Sequence, residues 1–120
     1  MPLITKGFES LEQRNRHFSE HGGDFRASNA DEYEQMADTF LSGLKPEGVH
    51  ECVRAGGSML RYDPASEAFG VLDAQSIIRT YYKPIPCQSV PVAMRDATRR
   101  RGRCHQYGTN LIYFRVECRK

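Results

Sequence analysis

Between residues 33 and 41 the apolar side chains fall on one helical face. Tyr33, Met36, Ala37, Phe40 and Leu41 stand at i, i+3, i+4, i+7 and i+8, the spacing of a 3.6-residue period. Ser28 and Asp31 read as a capping box ahead of this run. Asp31, Glu32 and Glu34 place negative charge in or near the first turn, and Gly43 ends the helix. A more polar helix precedes it over residues 9–21, with Leu11 and Phe18 as a thin apolar stripe. The pair Gly22-Gly23 is expected to stop it by taking up the left-handed conformation.

After "KPEG" the pattern shortens to extended runs, "HECVRA", "SMLRYD", "AFGVLD" and "SIIRTYYK", separated by "GG", "PASE" and "AQ". Short runs joined by tight turns predict an antiparallel meander. In the fourth run alternation puts Ile78, Thr80 and Tyr82 on one face and Ile77, Arg79 and Tyr81 on the other. Pro84 and Pro86 end it. Residues 84–106 read as a long Pro- and Arg-rich loop with one helical turn over residues 92–98. Thr109 or Asn110 then caps a short final helix that docks Leu111, Tyr113 and Phe114. The prediction is an α+β fold in a single domain spanning 1–120. Two N-terminal helices pack on a four-stranded antiparallel meander sheet, with a short C-terminal helix.

Composition adds little to that frame. Of 120 residues, 39% are hydrophobic and 27% charged, ordinary for a globular chain and enough to bury roughly two-thirds of its unfolded surface. The apolar runs are far shorter than a membrane span, and "MPLITKGFES" lacks the apolar core of a secretory signal. The expectation is a cytoplasmic protein with no membrane partner. Cys52, Cys87, Cys104 and Cys118 form no C-x-x-C pair, which argues against a zinc ribbon, and free thiols are expected in a reducing compartment.

Charge changes the picture more. The net +2 divides into an acidic stretch and a basic one. Residues 1–93 hold nine basic and thirteen acidic side chains, whereas residues 94–120 hold eight basic and two acidic. The basic density peaks at Arg95, Arg99, Arg100, Arg101 and Arg103. Such a cluster attracts polyphosphate, although a solvated arginine loop would look the same.

The candidate chemistry starts at "HFSEHGGDF". His17 and His21 lie four apart, so both imidazoles point the same way on a helix. The glutamate between them is one place too late for the H-E-x-x-H zinc motif, and no spacing recommends a third ligand, so no metal or other cofactor is expected. "GGDF" lacks the glutamate of the G-G-D-E-F cyclase signature, and the chain is too short for that fold. A helix end carrying two surface histidines is the plain alternative. RNA cleavage without metal needs a base for the 2′-hydroxyl, an acid for the leaving oxygen, and donors for the charge that grows on phosphate. His21 and His17 could move the proton. Thr80 offers a hydroxyl, Tyr82 a hydroxyl and a stacking ring, and Arg61, Arg79 and Lys83 contacts to phosphate.

The order of "HGGDF" after a polar helix, an acidic amphipathic helix, "GSMLRYDPASEAFGVLD" and "IIRTYYKPIP" resembles the catalytic domains of colicin D and related C-terminal toxin domains of contact-dependent inhibition systems. These belong to the barnase–EndoU–colicin–RelE nuclease group. The likeness spans roughly residues 14–84, and "NLIYF" at 110–114 is similar to the closing segment of that group. It implies a toxin that cleaves tRNA to a 2′,3′-cyclic phosphate in the cytoplasm, delivered as part of a larger secreted protein and blocked by a cognate immunity protein or antitoxin. It also implies that the catalytic histidine is His21, the strand hydroxyl Thr80, the aromatic Tyr82 and the following lysine Lys83. The lysines that precede the histidine in colicin D are absent here, where Phe18 and Glu20 flank it. Arg16, Arg61 or the arginines of 95–103 would have to supply that charge. The alternative is an inactive relative serving as an RNA- or protein-binding module. An immunity-like protein fits poorly, because such proteins are acidic where they meet a basic nuclease.

Overall fold

The computed structural model describes residues 2–120. Ser10 caps the first helix, α1 (Leu11–His21), by accepting the Gln13 N–H at 3.1 Å. The glycine pair does not end it as expected. Gly22 keeps a right-handed conformation, the chain tightens into a 3₁₀ turn over Gly22–Phe25, and the left-handed residue is Arg26 at φ 55°. Gly22 is needed for room instead, since a Cβ there would meet the Phe18 ring at 2.5 Å.

The second helix, α2 (Ala30–Leu41), is capped one residue away from the predicted box. Asn29 Oδ1 accepts the Glu32 N–H at 2.8 Å, and Glu32 reaches back to the Ser28 N–H. Its apolar face was readable because it lies flat on the sheet, with Tyr33, Ala37 and Leu41 buried.

The meander is present as predicted: β1 (His50–Val53), β2 (Met59–Asp63), β3 (Ala68–Leu72) and β4 (Ile78–Tyr82), antiparallel in that order. Strict alternation along β4 fails, because a bulge opposite Val71–Leu72 pairs Thr80 with Val71 but Ile78 with Leu72. Ile78 therefore joins Tyr81 in the core under α1 and α2, and Thr80 and Tyr82 stay with the opposite face. The N-terminal segment covers the outer edge of β4 through the Ile78 N–H to Gly7 carbonyl bond at 2.8 Å. Buried Asp38 holds that segment by accepting the Ile4 and Thr5 N–H groups at 3.0 and 2.8 Å.

Residues 84–106 are more ordered than a loop. A 3₁₀ turn (Cys87–Ser89) leads into α3 (Val92–Arg100), longer than the single turn expected. The final helix, α4 (Asn110–Cys118), is capped by Thr109 and packs Phe114 against Leu60, Tyr62 and Phe69. The sheet is thus sandwiched, with α1 and α2 on one face and α4 on the other. Among the described residues no helix is long and apolar enough to cross a membrane.

The expectation of free thiols is overturned. Cys52 is bonded to Cys118 and Cys87 to Cys104, leaving no free cysteine. The first bond staples α4 to β1. The second closes the base of the α3 segment. Neither follows a C-x-x-C spacing, because both join elements that meet only in the folded chain.

Candidate active site

His21 occupies the last turn of α1, where the helix passes the exit of β4. Its ring stacks on Tyr82, with centroids 5.1 Å apart and planes 28° apart. The Tyr82 hydroxyl is hydrogen-bonded to the Tyr113 hydroxyl from α4, and Tyr113 stacks on His105 at 4.6 Å and 11°. Four rings from four parts of the chain therefore make a continuous aromatic floor. Burial holds the Tyr82 phenol far above the usual tyrosine range, and the Tyr113 hydroxyl adds to the shift, so Tyr82 stays protonated.

Above this floor lies a cavity of about 480 Å³, with His21, Lys83, Arg101, Arg103 and His105 in its walls. Arg101 and Arg103 come from the turn after α3, which the Cys87–Cys104 disulfide returns to the body. Among the described residues neither guanidinium meets a carboxylate within 4.0 Å. Each is thus available to an anion. Arg95 holds the α3 segment down by donating to the carbonyls of Cys87, Gln88 and Val90 at 3.0–3.3 Å.

Burial pushes the His21 imidazole below its ordinary value of 6.5. Asp24 and Glu20 oppose that shift, and Arg103 adds to it. Glu20 stands 3.6 Å from His21 Nε2. A neutral imidazole beside unpaired cations can accept a proton while the cations hold an anion.

The other residues singled out from sequence divide sharply. Tyr82 and Lys83 line the cavity with His21, whereas His17, Thr80, Arg61 and Arg79 do not. His17 stacks on Phe8 at 5.1 Å, and its Nδ1 is buried with no hydrogen-bond partner. Burial, Arg16 and His21 together lower its proton affinity. His17 thus packs beside the N-terminal segment, its ring centroid 6.1 Å from that of His21 but outside the cavity lining. Thr80 shares Tyr82's sheet face but stands two residues farther from the cavity. Arg79 is paired with Glu9 and Asp73 at 2.9 and 3.2 Å.

Arg61 also lies outside the cavity lining. It is only 4% exposed and serves the fold, donating to the carbonyls of Phe40, Ser42 and Gly43 at the end of α2 and pairing with Glu51 at 2.8 Å. Those carbonyls have no partner within the helix, so the guanidinium completes its C-terminus.

His105 is a cavity histidine that no motif in the sequence singles out. Its Nδ1 accepts the Tyr107 N–H at 3.2 Å, so its proton sits on Nε2, 2.7 Å from Asn110 Oδ1. Asn110 in turn donates to Glu67 and to the Pro84 carbonyl at 2.6 and 2.8 Å. With both nitrogens engaged, His105 positions the floor and anchors the Arg101–Arg103 segment to α4. No spacing signals this, because its partners lie 5 and 43 residues apart along the network.

Compared with known proteins, the chain matches no protein-family model and no curated protein.

Proposed function

We propose that the protein is a metal-independent endoribonuclease, a tRNA-cleaving toxin domain of the colicin D type. The observation that carries this is the pairing of a neutral, half-buried His21 with the cations Lys83, Arg101 and Arg103 around one cavity. In the proposed reaction His21 takes the proton of a ribose 2′-hydroxyl. The O2′–P bond forms, the P–O5′ bond breaks, and the new imidazolium returns its proton to the departing 5′-oxygen. The products are a 2′,3′-cyclic phosphate and a 5′-hydroxyl, with the enzyme restored. Arg101 and Arg103 offset charge on the phosphorane. They supply the cationic role that lysines before the histidine fill in colicin D. Tyr82 fixes the plane of the His21 ring.

The proposal includes a cognate acidic immunity protein that covers the basic cavity mouth. A non-catalytic RNA- or protein-binding relative is favoured by one observation, that Thr80, the hydroxyl the resemblance assigns to the reaction, lies outside the cavity lining.

Incubation of total tRNA with wild type and with His21→Ala, in EDTA, tests the proposal. Discrete fragments bearing cyclic-phosphate ends are expected from wild type only. Intact tRNA from both, with binding retained, overturns the nuclease in favour of the binding module.

A further inference from the structure

Asp24 and Lys83 line two concavities at once. On one side is the His21 cavity, and on the other an open trough of about 460 Å³. The Lys83 N–H donates to Asp24 Oδ2 at 3.2 Å, so the two residues form a single low ridge between them. The chemistry changes across that ridge. The trough is built of apolar and aromatic carbon from Phe25, Met36, Phe40 and Tyr81, with Arg26 and Lys83 as its cations.

The rings of the trough are ordered by one another. Phe25 stacks on Tyr81 at 4.0 Å and 9°, and Phe40 meets Tyr81 at 5.5 Å. Tyr81 is buried, but Phe25, Met36 and Phe40 are only half-buried and keep surface open to the trough. The Lys83 ammonium stands 5.5 Å from the Phe25 ring centroid. A flat aromatic face flanked by cations matches a planar base carried on a phosphate backbone.

We propose that this trough is a nucleobase subsite. It rests on the RNA-cleaving reading above. With a phosphate in the His21 cavity, the strand crosses the Asp24–Lys83 ridge, and an adjoining base lies against Phe40, Phe25 and Met36. Lys83 then neutralises the backbone at the crossing, and Arg26 does so beyond it. The Ser66 hydroxyl at the trough is already engaged, donating to Asp63 at 3.0 Å and accepting the Ala68 N–H at 3.3 Å. The subsite therefore holds any base by its face and discriminates little among base edges.

The test separates this inference from the nuclease reading. Protein labelled with ¹³C at its methionine methyls is titrated with an all-2′-deoxy trinucleotide, which lacks the attacking hydroxyl and cannot be cleaved. The same backbone carrying abasic residues is titrated in parallel. Met36 lies in the trough and Met59 of β2 serves as reference. The Met36 methyl is expected to move saturably with the base-bearing trinucleotide and to stay still with the abasic one, which should bind on the order of tenfold more weakly. Arg26→Glu, on an exposed turn, should weaken the base-bearing ligand and leave thermal stability unchanged. A Met36 methyl that stays still while the His21 ring resonances respond overturns the subsite, even if RNA is cut. A Met36 shift in a protein that leaves RNA intact upholds the subsite and overturns only the nuclease reading.

Discussion

Burial of the His21 ring against Tyr82 disfavours the imidazolium, and Asp24 and Arg103 pull in opposite directions on what remains. The balance has a measurable sign. A general base works unprotonated, so kcat/KM for RNA should rise with pH and level off, with its acid limb centred below the ordinary 6.5. Asp24→Asn removes an anion that favours the imidazolium and should move that limb to lower pH. Arg103→Ala removes a like charge and should move it up, beside any loss of affinity. His17 is lowered too, so unfolding binds protons as pH falls below 6.5, and stability should decline through that window. The resemblance singled out His21, Thr80 and Tyr82, and the fold brings His21 and Tyr82 to one cavity because a helix end passes a strand exit there. That His105 joins the cavity and His17 does not was illegible in the sequence, since it depends on where β4 and α4 deliver Tyr82 and Tyr113.

The end of α2 shows how one element borrows its completion from another. Arg61 reaches from β2 to carbonyls that α2 cannot satisfy and pairs there with Glu51. Truncating it leaves the solvent-accessible Glu51 without its partner and several carbonyl acceptors unmet, so Arg61→Ala should cost about 2 kcal/mol in urea unfolding. Cleavage of a short RNA by the folded variant should be unchanged, because Arg61 lies outside the cavity. In the sequence this arginine was indistinguishable from one aimed at phosphate. The apolar stripe of α2 was legible because burial there repeats with the helix period. The bulge in β4 was not, because it answers to Leu72 on the neighbouring strand. The glycine pair was read for its backbone freedom, whereas what mattered at Gly22 was the space taken by Phe18.

Across the whole molecule the acidic and basic stretches of the chain meet at the cavity, where the turn after α3 brings Arg101 and Arg103 beside His21. No residue of α3 is buried, and Arg99, Arg100 and Arg101 are exposed. On a long folded RNA these side chains should displace counterions. The slope of log kcat/KM against log salt should then shrink by about 1.5 in the Arg99→Ala/Arg100→Ala variant. An unchanged slope would place the RNA elsewhere. The meander and its flanking helices were predictable because sequential strands pair in chain order, whereas both disulfides join parts distant in sequence. The Cys52–Cys118 bond, at a sequence separation of 66, makes more than half the polypeptide a covalent ring. Unfolding the domain does not open that ring. Any machine that pulls chains single file through a narrow pore, whether to move them across a barrier or to degrade them, would stall on the oxidised form. It would pass the reduced one as an ordinary linear strand.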